Sequence, residues 1–166
     1  MDKDYRQTNW WNYVDDSLRD LMKESFDLVG QETARVEEQG QIPYHDYAYL
    51  VFPAAKAYEG FLKKVFLELK LLTVQQYYSD HFRIGRALSP TLPKMYRSGW
   101  VFGKLNNYCG GEKLPLSMWN VWKEARNRTF HFFPQHRECV TLEQAKQLVI
   151  RITEMMEEVL TGCRVI

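Results

Sequence analysis

Three things are scarce in this chain of 166 residues, and each scarcity narrows what the protein can be. Cysteine occurs only as Cys109, Cys139 and Cys163, an odd number, widely separated and without a CxxC pair. That usage suggests neither a disulfide framework nor a zinc site and fits a reducing compartment. No stretch approaches the roughly 20 apolar residues needed to cross a bilayer. The opening MDKDYRQTNWW has acidic residues and no apolar run behind a basic start, so the chain is expected to be cytoplasmic, without a membrane partner.

The third scarcity is local. No Asp or Glu occurs in residues 81–111, while Arg83, Arg86, Lys94, Arg97 and Lys104 are spaced between Phe82, Tyr96, Trp100, Phe102 and Tyr108. Bases interleaved with aromatics can neutralise phosphates and stack on nucleobases. The same pattern arises when the aromatics are core and the bases solvated. The first forty residues are the opposite, with Asp15, Asp16, Asp20, Glu24, Asp27, Glu32, Glu37 and Glu38 against few bases, so a net charge of +1 conceals an uneven distribution.

What is present is apolar content enough for one well-buried core: 45% hydrophobic residues, with Lys+Arg 22 against Asp+Glu 21. Length and composition together predict one soluble domain over residues 1–166. From residue 9 to 38, Trp11, Val14, Leu18, Leu21, Met22 and Val29 recur at three- and four-residue steps, which predicts a long first helix ended by the turn QGQIPYHD. A second helix is predicted over 47–71, with Ala54, Tyr58, Phe61, Leu62, Val65 and Leu69 as its buried stripe and Pro53 either kinking it or starting its regular part. Glycines and prolines break the pattern over 72–115, where short helices joined by loops are expected. A third long helix is predicted from Ser117, as N-cap, to a stop at Pro134. Thr141 and Gln144 form a capping box opening a fourth, whose apolar face is Ala145, Leu148, Val149, Ile152, Met155, Met156 and Val159. The fold class expected is all-α, a bundle of four long helices with short helices in the 72–115 insertion.

The third helix carries the chemistry. Asn127 and His131 are one helical turn apart and share a face, and Arg126 sits beside Asn127. His can give and take a proton near neutrality, Arg offers a permanently charged fork for phosphate oxygens, and Asn can orient either. Together they suffice for metal-free cleavage of an RNA phosphodiester, in which the 2′-hydroxyl attacks its own phosphate, His moves a proton and Arg stabilises the phosphorane-like transition state. A histidine beside Phe130, Phe132 and Phe133 can equally be one satisfied at the edge of an aromatic core.

The segment RNRTFH, Arg126 to His131, resembles the RNxxxH form of the signature of HEPN domains (higher eukaryotes and prokaryotes nucleotide-binding), small helical bundles many of which are metal-independent RNases. The resemblance implies that Arg126 and His131 are catalytic with Asn127 supporting them, that two chains dimerise so that their signatures share one cleft, and that no cofactor or metal is needed. The segment FPAAKAYEGFLKKVFLEL, Phe52 to Leu69, is similar to the helix preceding the signature in RNase-LS-type toxins, where a basic residue and a Glu three positions later support the catalytic pair. The matching positions are Lys56 and Glu59. Glu59 lies at the border of the apolar stripe, where it could fix His131 or Arg126 from a neighbouring helix, or pair with Lys63 one turn on.

The function implied is an endoribonuclease, a toxin or antiviral effector, cutting single-stranded or loop RNA to leave a 2′,3′-cyclic phosphate, with residues 81–111 and Arg128 contacting the RNA. An antitoxin or immunity protein over the cleft is a natural partner. The alternative is a non-catalytic HEPN-like module that binds RNA or protein. The chain is expected to be a stand-alone version, without the domains that precede the catalytic one in RNase-LS-type toxins. HEPN toxins silenced by a nucleotidyltransferase carry a Tyr two residues after the signature His, whereas this chain has Phe133, so silencing of that kind is not expected.

Overall fold

A computed structural model of the chain describes residues 5–40, 43–131, 134 and 139–165. Among these residues all regular structure is helical, and no strand occurs. The elements are α1 (Asn9–Tyr13), α2 (Asp16–Gln39), α3 (Ala48–Glu68), α4 (Val74–Tyr77), α5 (Ile84–Ala87), α6 (Phe102–Tyr108), α7 (Lys113–Trp122) and α8 (Leu142–Gly162). A π-helical turn, Lys123–Arg128, continues α7.

Helix α3 is the centre of the packing, with its most extensive contacts to α2 and α8, while α7 lies on α8. Its sequence explains the position: Leu50, Val51, Ala54, Ala55, Ala57, Tyr58, Phe61, Leu62, Val65 and Phe66 are all buried, which covers far more than one stripe. A helix apolar nearly all round must be covered on several sides. Pro53 is carried inside the helix without ending it. The apolar faces of α2 and α8 close on it, and α8 opens with the predicted Thr141–Gln144 capping box. Ser25 of α2 donates its hydroxyl to the Leu50 carbonyl, so the one buried polar side chain on that face is satisfied.

The predicted first helix is broken in two at Val14 and Asp15, both extended. The reason is tertiary. Lys64 Nζ of α3 donates to the Tyr13 carbonyl at 2.8 Å and to Asp15 Oδ1 at 2.9 Å, replacing the bond the break costs and drawing Asp15 out of helical geometry. The far end of α1 is held by Glu157 of α8, whose carboxylate accepts from Asn9 Nδ2 at 2.6 Å and from Trp10 N at 3.0 Å.

The third long helix begins earlier than Ser117. Gly110 and Gly111 take positive φ (67° and 132°) and make the turn, after which α7 starts at Lys113 with Pro115 in its first turn, where a missing N–H costs nothing. Ser117 is therefore interior. The helix ends at Phe130, with His131 in a bend, short of the predicted stop at Pro134; Phe132 and Phe133, the latter at the position occupied by Tyr in nucleotidyltransferase-silenced toxins, lie outside the described residues.

The cysteine expectation is overturned as well, because Cys109 and Cys163 form a disulfide across a sequence separation of 54. They are the residues that follow the last turns of α6 and α8, and docking of those two ends brings them together. None of the described helices is long and apolar enough to cross a membrane.

Candidate functional site

The site is organised by the π-helical turn. In such a turn the backbone bonds run from residue i to i+5, and single turns of this kind inside α-helices occur often at functional sites. Here Thr129 Oγ1 donates to the Glu124 carbonyl, five residues back, at 2.7 Å, which helps hold the turn wide. Two ion pairs fix it from outside: Arg151 of α8 with the Glu124 carboxylate, and Arg126 Nε with Glu59 Oε2 of α3 at 3.0 Å. Helical structure ends at Phe130, so His131 does not share a helical face with Asn127 as the sequence predicted.

Glu59 thus faces the neighbouring helix and holds Arg126, one of the two arrangements open to it from sequence. The Arg126 and Glu59 side chains are 43% and 26% exposed. At that exposure an ion pair contributes about 0–1 kcal/mol to stability, so its main consequence is orientation: one guanidinium edge is committed to Glu59 and the rest is left to meet a ligand. Below this pair the wholly buried Tyr58 donates its hydroxyl to the Met118 carbonyl at 3.2 Å, tying α3 to α7.

Arg126, Asn127 and Glu59 line a cavity of about 420 Å³ together with Trp119 and Trp122 of α7, Arg86 of α5 and Arg83, the residue just before α5. The two indoles are stacked, 5.4 Å between centroids and 15° between planes. Helix α5 reaches the cavity because Gly85 lets it lie directly on Trp122: a Cβ there would stand 2.2 Å from the indole Cη2. Among the described residues no group of three His, Cys, Asp or Glu side chains has metal-binding geometry.

The other predicted site residues are not brought to this cavity. His131 is exposed at a bend just beyond the helix and is not among the residues lining the cavity. Lys56, one turn before Glu59 on α3, and Arg128, the last residue of the π turn, are also exposed and outside the lining. The basic segment divides. Arg83 and Arg86 are at the cavity, Arg83 donating to the Asp80 carbonyl and Arg86 to the Tyr96 carbonyl from Nη2 at 3.0 Å. Arg97 is used internally, donating to the Leu92 carbonyl at 2.9 Å with its guanidinium 4.1 Å from the Trp100 ring centroid. Lys94 and Lys104 are exposed and stand apart from the cavity lining.

Trp119, Trp122 and Gly85 are the members that the sequence reading missed. A signal existed for the indoles, since Trp119, Trp122 and Arg126 are spaced three and four apart and so fall on one helical stripe. Compared with protein-family models, with curated proteins and with solved structures, the chain finds no match.

Proposed function

We propose that this chain is a HEPN-type, metal-independent endoribonuclease, a toxin or antiviral effector of the cytoplasm that cleaves RNA through 2′-hydroxyl attack. The observation that carries the proposal is the Glu59–Arg126 bond at 3.0 Å, which fixes the arginine of RNRTFH from the helix that resembles its counterpart in RNase-LS-type toxins. The adjoining cavity, with Asn127, Arg83 and Arg86 on its walls, supports a polyanionic ligand there.

In the proposed reaction the 2′-oxygen attacks the adjacent phosphorus and loses its proton, the bond from phosphorus to the 5′-oxygen breaks, and that oxygen gains a proton. The products are a 2′,3′-cyclic phosphate and a 5′-hydroxyl. Arg126, held by Glu59, stabilises the charge on the non-bridging oxygens. His131 carries one of the two protons. Because His131 is exposed beyond the cavity, the complete site is proposed to form between two chains, with each pair of signatures facing across the dimer and an antitoxin or immunity protein as a further partner. Cytoplasmic placement puts the protein with its RNA, and also exposes the Cys109–Cys163 bond to a reducing thiol pool.

A second reading, a HEPN-like module that binds RNA or protein without cutting, draws on the same exposure of His131 away from the cavity lining. One experiment separates them. Wild-type and His131→Ala protein are incubated with labelled mixed-sequence RNA in EDTA, and the ends of any fragments are analysed. Cyclic-phosphate ends from the wild type alone are the expected result. Turnover by the pure variant would sink the assignment of His131, and intact RNA in both samples, with affinity falling steeply with salt, would favour the binding module.

A further inference from the structure

The cavity beside Arg126 has a flat wall as well as a charged one. Trp119 and Trp122, stacked on each other, both line it, and offset stacking on a further ring is among the geometries that aromatic pairs prefer. Its volume, about 420 Å³, falls within the roughly 300–1,000 Å³ typical of sites that enclose small molecules. Trp122 Nε1 is buried and has no hydrogen-bond partner among the described residues, although a buried indole N–H normally finds one.

A second cavity, of about 210 Å³, lies next to the first, with Gln76, Ser79, His81 and Ser98 in its lining beside Phe82 and Ala87. Arg83 and Arg86 line both cavities. An aromatic pocket beside a smaller one, with Arg83 and Arg86 lining both, matches the alternation of a nucleic-acid strand, in which each base is followed by a phosphate. Helix α5, which bears Arg86 and directly follows Arg83, is seated by the Gly85–Trp122 contact, so the indole and the basic residues are one packed unit.

We infer that the Trp119–Trp122 cavity takes one unpaired nucleobase, with the neighbouring phosphate on Arg83 and Arg86, as a base subsite beside Arg126. The inference rests on the site acting on RNA. A base inside a duplex is already stacked on both faces and cannot enter a side pocket, whereas an unpaired base can be splayed out and restacked on an aromatic side chain. Stacking of this kind is tolerant of base identity, so the pocket selects for strandedness more than for sequence. Trp119 and Trp122 are specificity-determining residues here and take no part in proton transfer.

The test uses a probe that the proposed chemistry cannot cut. A fluorescein-labelled octamer of abasic tetrahydrofuran phosphates, lacking every 2′-hydroxyl, is compared with the same octamer carrying one central deoxyadenosine. Charge is the same in both, and binding to the full chain is followed by anisotropy. The single base is expected to tighten binding about five- to 150-fold, the range for one base on an aromatic platform. Trp119→Leu removes the difference and Trp119→Phe keeps most of it. Equal affinity of the two probes for the wild type would overturn the inference, and because that comparison needs no variant, misfolding of Trp119→Leu cannot obscure it. The nuclease reading is scored separately on ordinary RNA in EDTA. Base-dependent binding without cleavage would leave the pocket standing and remove the enzyme. Cleavage with base-independent binding would do the reverse.

Discussion

Replacing Gly85 with alanine tests whether α5 is seated on Trp122 as described. A Cβ at this position stands 2.2 Å from Cη2 and 2.8 Å from Cζ2 and Cζ3 of the indole. Carbon atoms pack best at about 3.5–4.0 Å, so helix and ring must separate by roughly 1 Å. Neither moves easily. Trp122 is stacked on Trp119, and α5 is held by the buried Ile84 and Ala87 and by the Val101 N–H donating to the Ala87 carbonyl at 2.8 Å. With neither partner free to yield, the overpacking falls in the upper part of its usual range, about 2–3 kcal/mol, whereas the gain in helix propensity from Gly to Ala is about 1 kcal/mol. The net loss, about 1–2 kcal/mol, corresponds to a fall in Tm of roughly 2–8 °C for a chain of this size. Gly30, in the middle of α2 with nothing within 4 Å of its Cβ position, is the control. There the same substitution has only its propensity gain and should raise Tm by a few degrees. Thermal unfolding of the two variants should therefore shift in opposite directions, and a Gly85→Ala protein as stable as the wild type would refute the packing described for the site.

Glu59→Ala should slow RNA cleavage by about ten- to a hundredfold, as expected when a group that orients a catalytic side chain is lost, while moving Tm by less than about 4 °C because the ion pair is partly exposed. Equal rates in single-turnover cleavage would remove Glu59 from the mechanism. Cys109→Ser should destabilise by up to about 4 kcal/mol, the loop-entropy value for a 54-residue separation, read as a denaturant midpoint that no longer responds to dithiothreitol. Burial pushes the Tyr58 hydroxyl well above its ordinary value of 10.0. Its neutral form is therefore retained by the folded chain, and its contribution is complete below pH 10 and is lost as pH rises beyond it, when the unfolded chain ionises first. Tm should fall more gently above pH 10 in Tyr58→Phe than in the wild type, though Tyr58→Phe should also start about 1 kcal/mol lower through the lost bond to Met118.

The elements legible in the sequence are those whose own residues decide them. Helix α8 carries both its cap and its apolar face within 21 residues, and α3 is apolar enough to require burial wherever it is placed. The break at Val14 was not legible, because Lys64, some fifty residues away, is what makes it tolerable. The pairing of Cys109 with Cys163 depends in the same way on the docking of two helix ends that share no local pattern. At Ser117 a favourable capping residue competed with Gly110, Gly111 and Pro115, and the turn glycines with the early proline decided where α7 begins. Of the candidate site, Arg126, Asn127, Glu59, Arg83 and Arg86 meet at one cavity, while His131, Lys56, Arg128, Lys94, Arg97 and Lys104 lie outside its lining. Arg97 shows why charge patterning alone could not sort them: its guanidinium is taken up by a carbonyl and an indole of its own loop.

The π turn gives the helix one residue of slack. A turn bonded from i to i+5 holds one residue more than a regular α-turn, so loss of Lys123 is absorbed when the turn closes to the ordinary i to i+4 pattern and the helix beyond it keeps its register. Insertion of a residue just before the turn finds no such slack, and every following residue turns by about 100° and advances by about 1.5 Å. Arg126 then leaves Glu59, and Asn127 leaves the wall it shares with Trp122, although RNRTFH still reads the same. A frame-preserving gain of one codon outside the motif therefore does more harm to the site than the loss of one.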